Sequence, residues 1–244
     1  MCRSLQGLCR CLFGYVNSPS QILAGVGALC YLRSMYNLPY YKEKDMAVVI
    51  DFMKRHPFAF ITGVDAQQRP VATQVPVLLE ERNGVLFLRG HIMRKNDHHN
   101  AFTQNNRVLA VFASPASYVS ASWYGNPQQG STWNYMSVHA HGEMTFLPEA
   151  DLRKLLDDTT TYFENDDASP ASYKNLPEEY ISRMLPAIDG FEIKVDTLDH
   201  VFKLSQNRDK DSYHHILSKL EAGDAGAQFI AEEMRKRKDI LFPA

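Results

Sequence analysis

The stretch Phe58-Ala59-Phe60-Ile61-Thr62-Gly63-Val64 is followed by a polar run, Asp65-Ala66-Gln67-Gln68-Arg69-Pro70. A second apolar run over residues 71–79 comes next, and then the pair Asn83-Gly84. Aromatic and β-branched residues bounded by turn formers read as strands. Asn83-Gly84 accepts positive φ at both positions, so it predicts a tight hairpin turn into a strand over residues 85–88. Pro76 cannot donate to a ladder, which predicts a sheet edge or a bulge at that point. Further strands are expected over residues 107–113, 118–123 and 133–146, with one short helical interval, 97–105, among them. Many short antiparallel strands in succession imply a barrel or sandwich, in a mainly antiparallel α+β chain.

Outward from this block the period changes. Met46, Val49, Ile50 and Met53 recur at helical spacing and Pro57 closes that helix. On the other side, Pro148 opens an amphipathic helix carrying Leu152, Leu155, Leu156 and Phe163, and a shorter helix covers residues 177–185. Residues 191–195 and 201–204 return to strand, and the last 35 or so residues read as helical. No internal repeat or long linker interrupts the pattern.

Composition sets limits on function. The chain has 244 residues, 45% hydrophobic and 22% charged, which suffices for one substantial core. A formal net charge of -2 excludes a general electrostatic pull toward DNA or an anionic membrane. All four cysteines, Cys2, Cys9, Cys11 and Cys30, precede Met35, so the rest of the chain is disulfide-free. Residues 1–34 lack acidic side chains and carry Arg3, Arg10 and Arg33, a shift that sets them apart from the domain over residues 35–244. Three origins compete for this extension: a targeting segment, an ordered amphipathic extension, or sequence upstream of a start at Met35. Its apolar stretch, residues 22–32, falls short of the roughly 20 residues that span a bilayer. The domain is expected to be cytoplasmic, with no membrane partner.

Three clusters could carry chemistry. Gly90-His91-Ile92-Met93-Arg94-Lys95-Asn96 follows a strand and opens a helix, where unpaired N–H groups and two cations suit a phosphate; on the residues alone, a solvated surface turn is the more ordinary reading. Ser122-Trp123-Tyr124 and Ser131-Thr132-Trp133-Asn134-Tyr135 hold both tryptophans beside hydroxyls and amides, which suits a planar heteroaromatic ligand or plain barrel packing. Phe202-Lys203-Leu204-Ser205-Gln206-Asn207 alternates, with Lys203 and Ser205 on one face. His139 and His141 share a strand face without a third metal ligand, so no metal site is expected. The basic run Arg235-Lys236-Arg237-Lys238 follows Glu232-Glu233 and reads as a solvated helix face rather than a DNA contact.

The ordered strings Met35-Tyr36, Gly90-His91 with Asn96, Ser122-Trp123-Tyr124, Thr132-Trp133-Asn134-Tyr135 with Val138 and Gly142, Gly190-Phe191-Glu192-Ile193, and Phe202 through Asn207 resemble the PaiB family of FMN-binding negative transcriptional regulators. That resemblance covers nearly all of the chain after residue 34. It implies the FMN-binding split β-barrel with flanking helices, a homodimer with FMN at the subunit interface, and kinship with pyridoxamine 5′-phosphate oxidase. In that oxidase family a Ser-Arg-Lys string holds the FMN phosphate, and Met93-Arg94-Lys95 stands in the equivalent setting, with Met for Ser. The cofactor-binding residues so implied are His91, Arg94, Lys95 and Asn96 at one cluster, Trp123, Thr132, Trp133 and Asn134 at the second, and Lys203, Ser205 and Gln206 at the third. The chain departs from the family pattern at Ala121 and Asp97, each where proline is usual, and at His200-Val201, where Gly-Lys is common.

Two functional classes remain open on the sequence. One is a regulator whose FMN binding and dimer geometry control association with DNA or a partner, although no helix-turn-helix is recognisable. The other is a flavin oxidoreductase, for which no acid or base can be named. A haem-binding split barrel using His91 or His139 is a third reading.

Overall fold

Asn83 and Gly84 adopt φ of 53° and 76°, the positive pair that a two-residue hairpin turn demands. The computed structural model that carries this turn describes residues 36, 38–166 and 168–243. The readings for residues 1–34, including all four cysteines, lie outside them. Eight strands are described: β1 Phe58–Val64, β2 Pro70–Pro76, β3 Leu78–Arg82, β4 Val85–Met93, β5 Arg107–Ala113, β6 Ser117–Val119, β7 Thr132–Phe146 and β8 Ile188–Lys203. Every pairing is antiparallel, in the order β2-β1-β5-β7-β8-β4-β3, with β6 added on β7.

Three strand expectations need correction. Residues 71–79 form two strands rather than one, because Val77 leaves the ladder and donates its N–H to Pro57 O at 2.9 Å. That corner carries the chain from one edge of the sheet, β2, to the other, β3. Residues 191–195 and 201–204 are one strand, β8, made continuous by a bulge. His141 faces Thr197 while Gly142 faces Val195, leaving Asp196 as the extra residue. Gly142 is needed there, since a Cβ would lie 2.2 Å from Lys194 O. Lastly, the strand expected over 118–123 ends at Val119, where Ser120 Oγ accepts the Ser122 N–H and starts a 3-10 turn, Ala121–Trp123.

Six α-helices are described: α1 Met46–Arg55, α2 Asp97–Gln104, α3 Glu149–Glu164, α4 Glu178–Met184, α5 Lys210–Glu221 and α6 Ala225–Leu241. Side chains of Asp45, Asp209 and Asp224 accept from the first-turn amides of α1, α5 and α6, each cap contributing about 1 kcal/mol. Val49, Phe52 and Met53 of α1, Tyr213 and Ile216 of α5, and Ile230 and Met234 of α6 share one core with Leu88, Phe112, Val138, Ile193 and Phe202 of the sheet. Burial of each such side chain contributes roughly 1.5–3 kcal/mol. A smaller cluster joins Leu152 of α3 to Ile181 of α4 and Leu185. No helix among the described residues is long and apolar enough to cross a membrane.

Candidate functional site

The ladder between β7 and β8 sets Tyr135 opposite Lys203, so the second and third sequence clusters meet. Along β7, Asn134 points into the core and is fully buried, while Trp133 points out and is 55% exposed, edge-on to Tyr118. Asn134 Nδ2 donates to Ser205 Oγ at 3.0 Å. Ser205 takes a φ of 63° as the chain turns away from β8. Gln206 folds back on its own strand: its Oε1 accepts the Leu204 N–H at 2.7 Å and its Nε2 donates to Phe202 O at 2.5 Å. Both ends of that amide are therefore occupied by backbone. Trp123 is half-buried against the main core.

A cleft of about 190 Å³ opens beside these residues, lined by Tyr36, Tyr41, Ser131, Thr132, Lys203 and Arg208 among others. Lys203 Nζ donates to Thr132 Oγ1 and lies 5.9 Å from the centre of the Tyr36 ring. Arg208 stacks over Tyr124 at 3.9 Å and donates to Gln129 Oε1. Burial, and then the neighbouring charge of Arg208, hold the Lys203 ammonium below its usual range. Burial with Tyr40 and Tyr36 nearby pushes the Tyr41 phenol up to about 12.

The first cluster stands elsewhere. Arg94 follows β4, and its Nε donates to Ile188 O at 3.0 Å while its guanidinium meets Asp189 at 2.6 Å. Asp189 also meets His99 Nε2 at 2.7 Å. Lys95 has φ 67° and is exposed, with no ion-pair partner among the described residues. Asn96 is the N-cap of α2 without a side-chain capping bond. Asp97 accepts the His98 N–H at 2.7 Å, and that bond holds its carboxyl below the usual range. His91, opposite Gly190, is kept toward its neutral form by burial. Arg94 thus sits against the start of β8 and Lys203 at its end; within one copy the structure does not bring the two clusters together.

Other sequence features resolve into ordinary contacts. No group of three His, Cys, Asp or Glu side chains that could hold a metal occurs among the described residues. In the basic run, Arg235 pairs with Glu221, Lys236 and Arg237 with Glu233, and Lys238 with Asp239. At the proline-to-alanine departure, Ala121 uses the N–H that proline would lack, donating to Ser131 Oγ at 3.0 Å. His200 accepts the Glu43 N–H at 2.8 Å through Nε2.

Residues 35–197, more than half of the chain, match the family model described as "Putative FMN-binding domain". The chain belongs to this PaiB-like FMN-binding family. Among curated relatives, this PaiB-like chain is 28% identical over 187 residues to "Protease synthase and sporulation protein PAI 2" of Bacillus subtilis, covering 77% of the chain and 89% of the relative. An uncharacterised protein of Aspergillus fumigatus is 23% identical, with 86% of this chain and 98% of that one covered. Among solved structures, the flavocytochrome Anf3 from Azotobacter vinelandii superposes with a TM-score of 0.50 at 13% identity, over 69% of this chain and 72% of that one. The PaiB-like chain therefore has the split-barrel fold that its family strings implied.

Sequence reasoning missed Arg208 and Tyr41 in the cleft, and Asp189 with His99 at the Arg94 turn. Arg208 follows the Lys203-to-Asn207 string directly and could have been included on that ground. Nothing local pointed to Asp189, which reaches Arg94 through a pairing that spans some 95 residues.

Proposed function

We propose that this protein binds FMN between two copies of the chain and acts as a negative transcriptional regulator of the PaiB type. One observation carries the flavin part: the residues implied as flavin contacts stand at opposite ends of β8. That strand has 16 residues, a contour of about 50 Å at roughly 3.3 Å per residue. A single flavin cannot touch both ends within one copy, but a two-fold pair can set the Lys203 end of one protomer against the Arg94 end of its partner. The outer face of β1, β6 and β7 offers a surface for that pairing, with Phe58 59% exposed, Phe60 42% and Tyr118 47%.

The donor set fits a phosphate-bearing flavin. Lys95 is an exposed cation beside Arg94, so a phosphate there gains two positive partners once it displaces Asp189 from Arg94. Trp133 and Tyr118 supply aromatic faces for a flat ring. Flavin, when bound, supplies an acceptor for hydride or electrons; the chain's part is to bind and orient it. The regulatory part rests on the PaiB resemblance and on the name of the Bacillus subtilis relative. The cations of α6 are engaged by carboxylates, so control is assigned to the flavin-bound pair acting on DNA or a partner, and not to that basic run.

Absorbance and light scattering on the purified full chain test this reading together. Flavin bands, with FMN released on denaturation, and a mass twice the 27.8 kDa of one chain are expected. A protein that neither carries nor takes up FMN overturns the cofactor, and a monomer at micromolar concentration overturns the shared site. For regulation, transcripts under its control should rise in cells lacking the protein; an unchanged transcript profile overturns that part.

A further inference from the structure

Most arginines of this protein face carboxylates. Arg89 meets Glu80 and Asp158, Arg107 meets Glu143 and Asp196, and Arg237 meets Glu233 and Glu43. The cleft at the end of β8 breaks that pattern. Among the described residues, Lys203 and Arg208 bond there only to neutral groups: the Thr132 hydroxyl, the Gln129 amide and the Tyr124 ring. No aspartate or glutamate among the described residues lines the cavity. Like charges near one another are unfavourable; burial first, and then the neighbouring charge of Arg208, hold the Lys203 ammonium below its usual range. Ser131 and Asn207 add neutral donors around the same opening. At about 190 Å³, the cleft is smaller than the roughly 300–1,000 Å³ of whole small-molecule sites, so it is sized for one group of a ligand.

We propose that this cleft seats a phosphate-type dianion, with Lys203 and Arg208 as the charged donors and Ser131 and Thr132 as hydroxyl donors. The assignment stands on the cleft alone and goes beyond the flavin reading. A dianion supplies the missing counter-charge and accepts from several donors at once, which a neutral ligand cannot do. Two sources share this chemistry: the phosphate of FMN itself, or a separate phosphorylated small molecule.

The test is a titration of the full chain with inorganic phosphate, followed by calorimetry or phosphorus NMR, on protein stripped of flavin and on protein saturated with FMN or with riboflavin. Saturable binding to the stripped protein is expected, weakened by about tenfold or more in Arg208→Met and largely kept in Arg208→Lys. Because Arg208 also packs on Tyr124, Lys203→Met serves as the second variant, with melting temperature as the check on folding. If FMN blocks phosphate binding and riboflavin does not, the FMN phosphate occupies the cleft and not the Arg94-Lys95 turn, so that placement falls while the seat stands. If the FMN-loaded protein still binds phosphate, the ligand is a separate molecule. Either result supports the seat. Absence of saturable binding, or binding unchanged in both Met variants, overturns it. Failure of the protein to bind any flavin would leave the phosphate titration readable, so the two proposals fail separately.

Discussion

The guanidinium of Arg94 lies 2.6 Å from the carboxylate of Asp189. Any phosphate that settles on the Arg94-Lys95 turn must compete with that ion pair. Replacing Arg94 and Lys95 together by Ala removes two charge-assisted contacts and should weaken FMN by on the order of a hundredfold, with riboflavin affected far less. Asp189→Asn should do the reverse and strengthen FMN several-fold while leaving riboflavin unchanged. Fluorescence titration with both ligands checks this. Equal weakening of FMN and riboflavin in the double variant would place the phosphate elsewhere.

The buried pair Asn134 and Ser205 gives a stability prediction. Asn134 is fully buried and Ser205 is 3% exposed, and each donates to the other, at 3.0 and 3.1 Å. Asn134→Ala leaves the Ser205 hydroxyl without that partner and opens space in the core, so it should cost about 2 kcal/mol or more. Urea denaturation should show a lower midpoint at unchanged slope. A loss below about 0.5 kcal/mol would mean that the pair contributes little.

Acid should destabilise the fold through its histidines. Burial holds His56, His91, His139 and His200 below the usual 6.5, and the buried His56 Nε2 has no hydrogen-bond partner. Since the folded-state values lie lower, the unfolded chain takes up protons first as pH falls through about 6.5. Stability is therefore fully present above that value and declines below it, down to the folded-state values. Melting temperature measured from pH 7.5 to 5.5 should fall, and a flat or rising profile would contradict this.

The outer face of β1 and β5 yields the fourth expectation. Phe60, opposite Val111, is 42% exposed. If this face joins two copies, Phe60→Asp should desolvate a charge in the contact and shift the protein to monomer at micromolar concentration. Light scattering decides it, with a dimer that persists in Phe60→Asp pointing to a different contact face.

How far the sequence could be read depended on the range of each interaction. Asn83-Gly84, Pro57 and Pro148 act on their immediate neighbours, and the hairpin, the end of α1 and the start of α3 were legible from them. The continuity of β8 was not. Its middle, Asp196-Thr197-Leu198-Asp199, looks like a polar break, because it is a bulge whose Asp196 faces Arg107 at 2.8 Å instead of a core. The Val77 corner was hidden for a similar reason: one apolar run serves two opposite sheet edges, and only the distant partners β1 and β4 divide it. At the site, Lys203, Ser205, Thr132 and Asn134 were each legible as unusual polar residues. Their meeting depends on the pairing of Tyr135 with Lys203, which no local pattern encodes.

The central position of β8 also governs how this chain must be made. β8 pairs with β4 on one side and β7 on the other, joining Met93 to Ile188 and Tyr135 to Lys203. Until residue 203 has left the ribosome, both of those strands present unpaired edges, and hairpins such as β1-β2 and β3-β4 are all that can form cheaply. A nascent or prematurely ended chain that stops before residue 188 therefore carries two open, apolar strand edges at once. Such a fragment is a template for aggregation, which makes late synthesis the vulnerable interval for this protein.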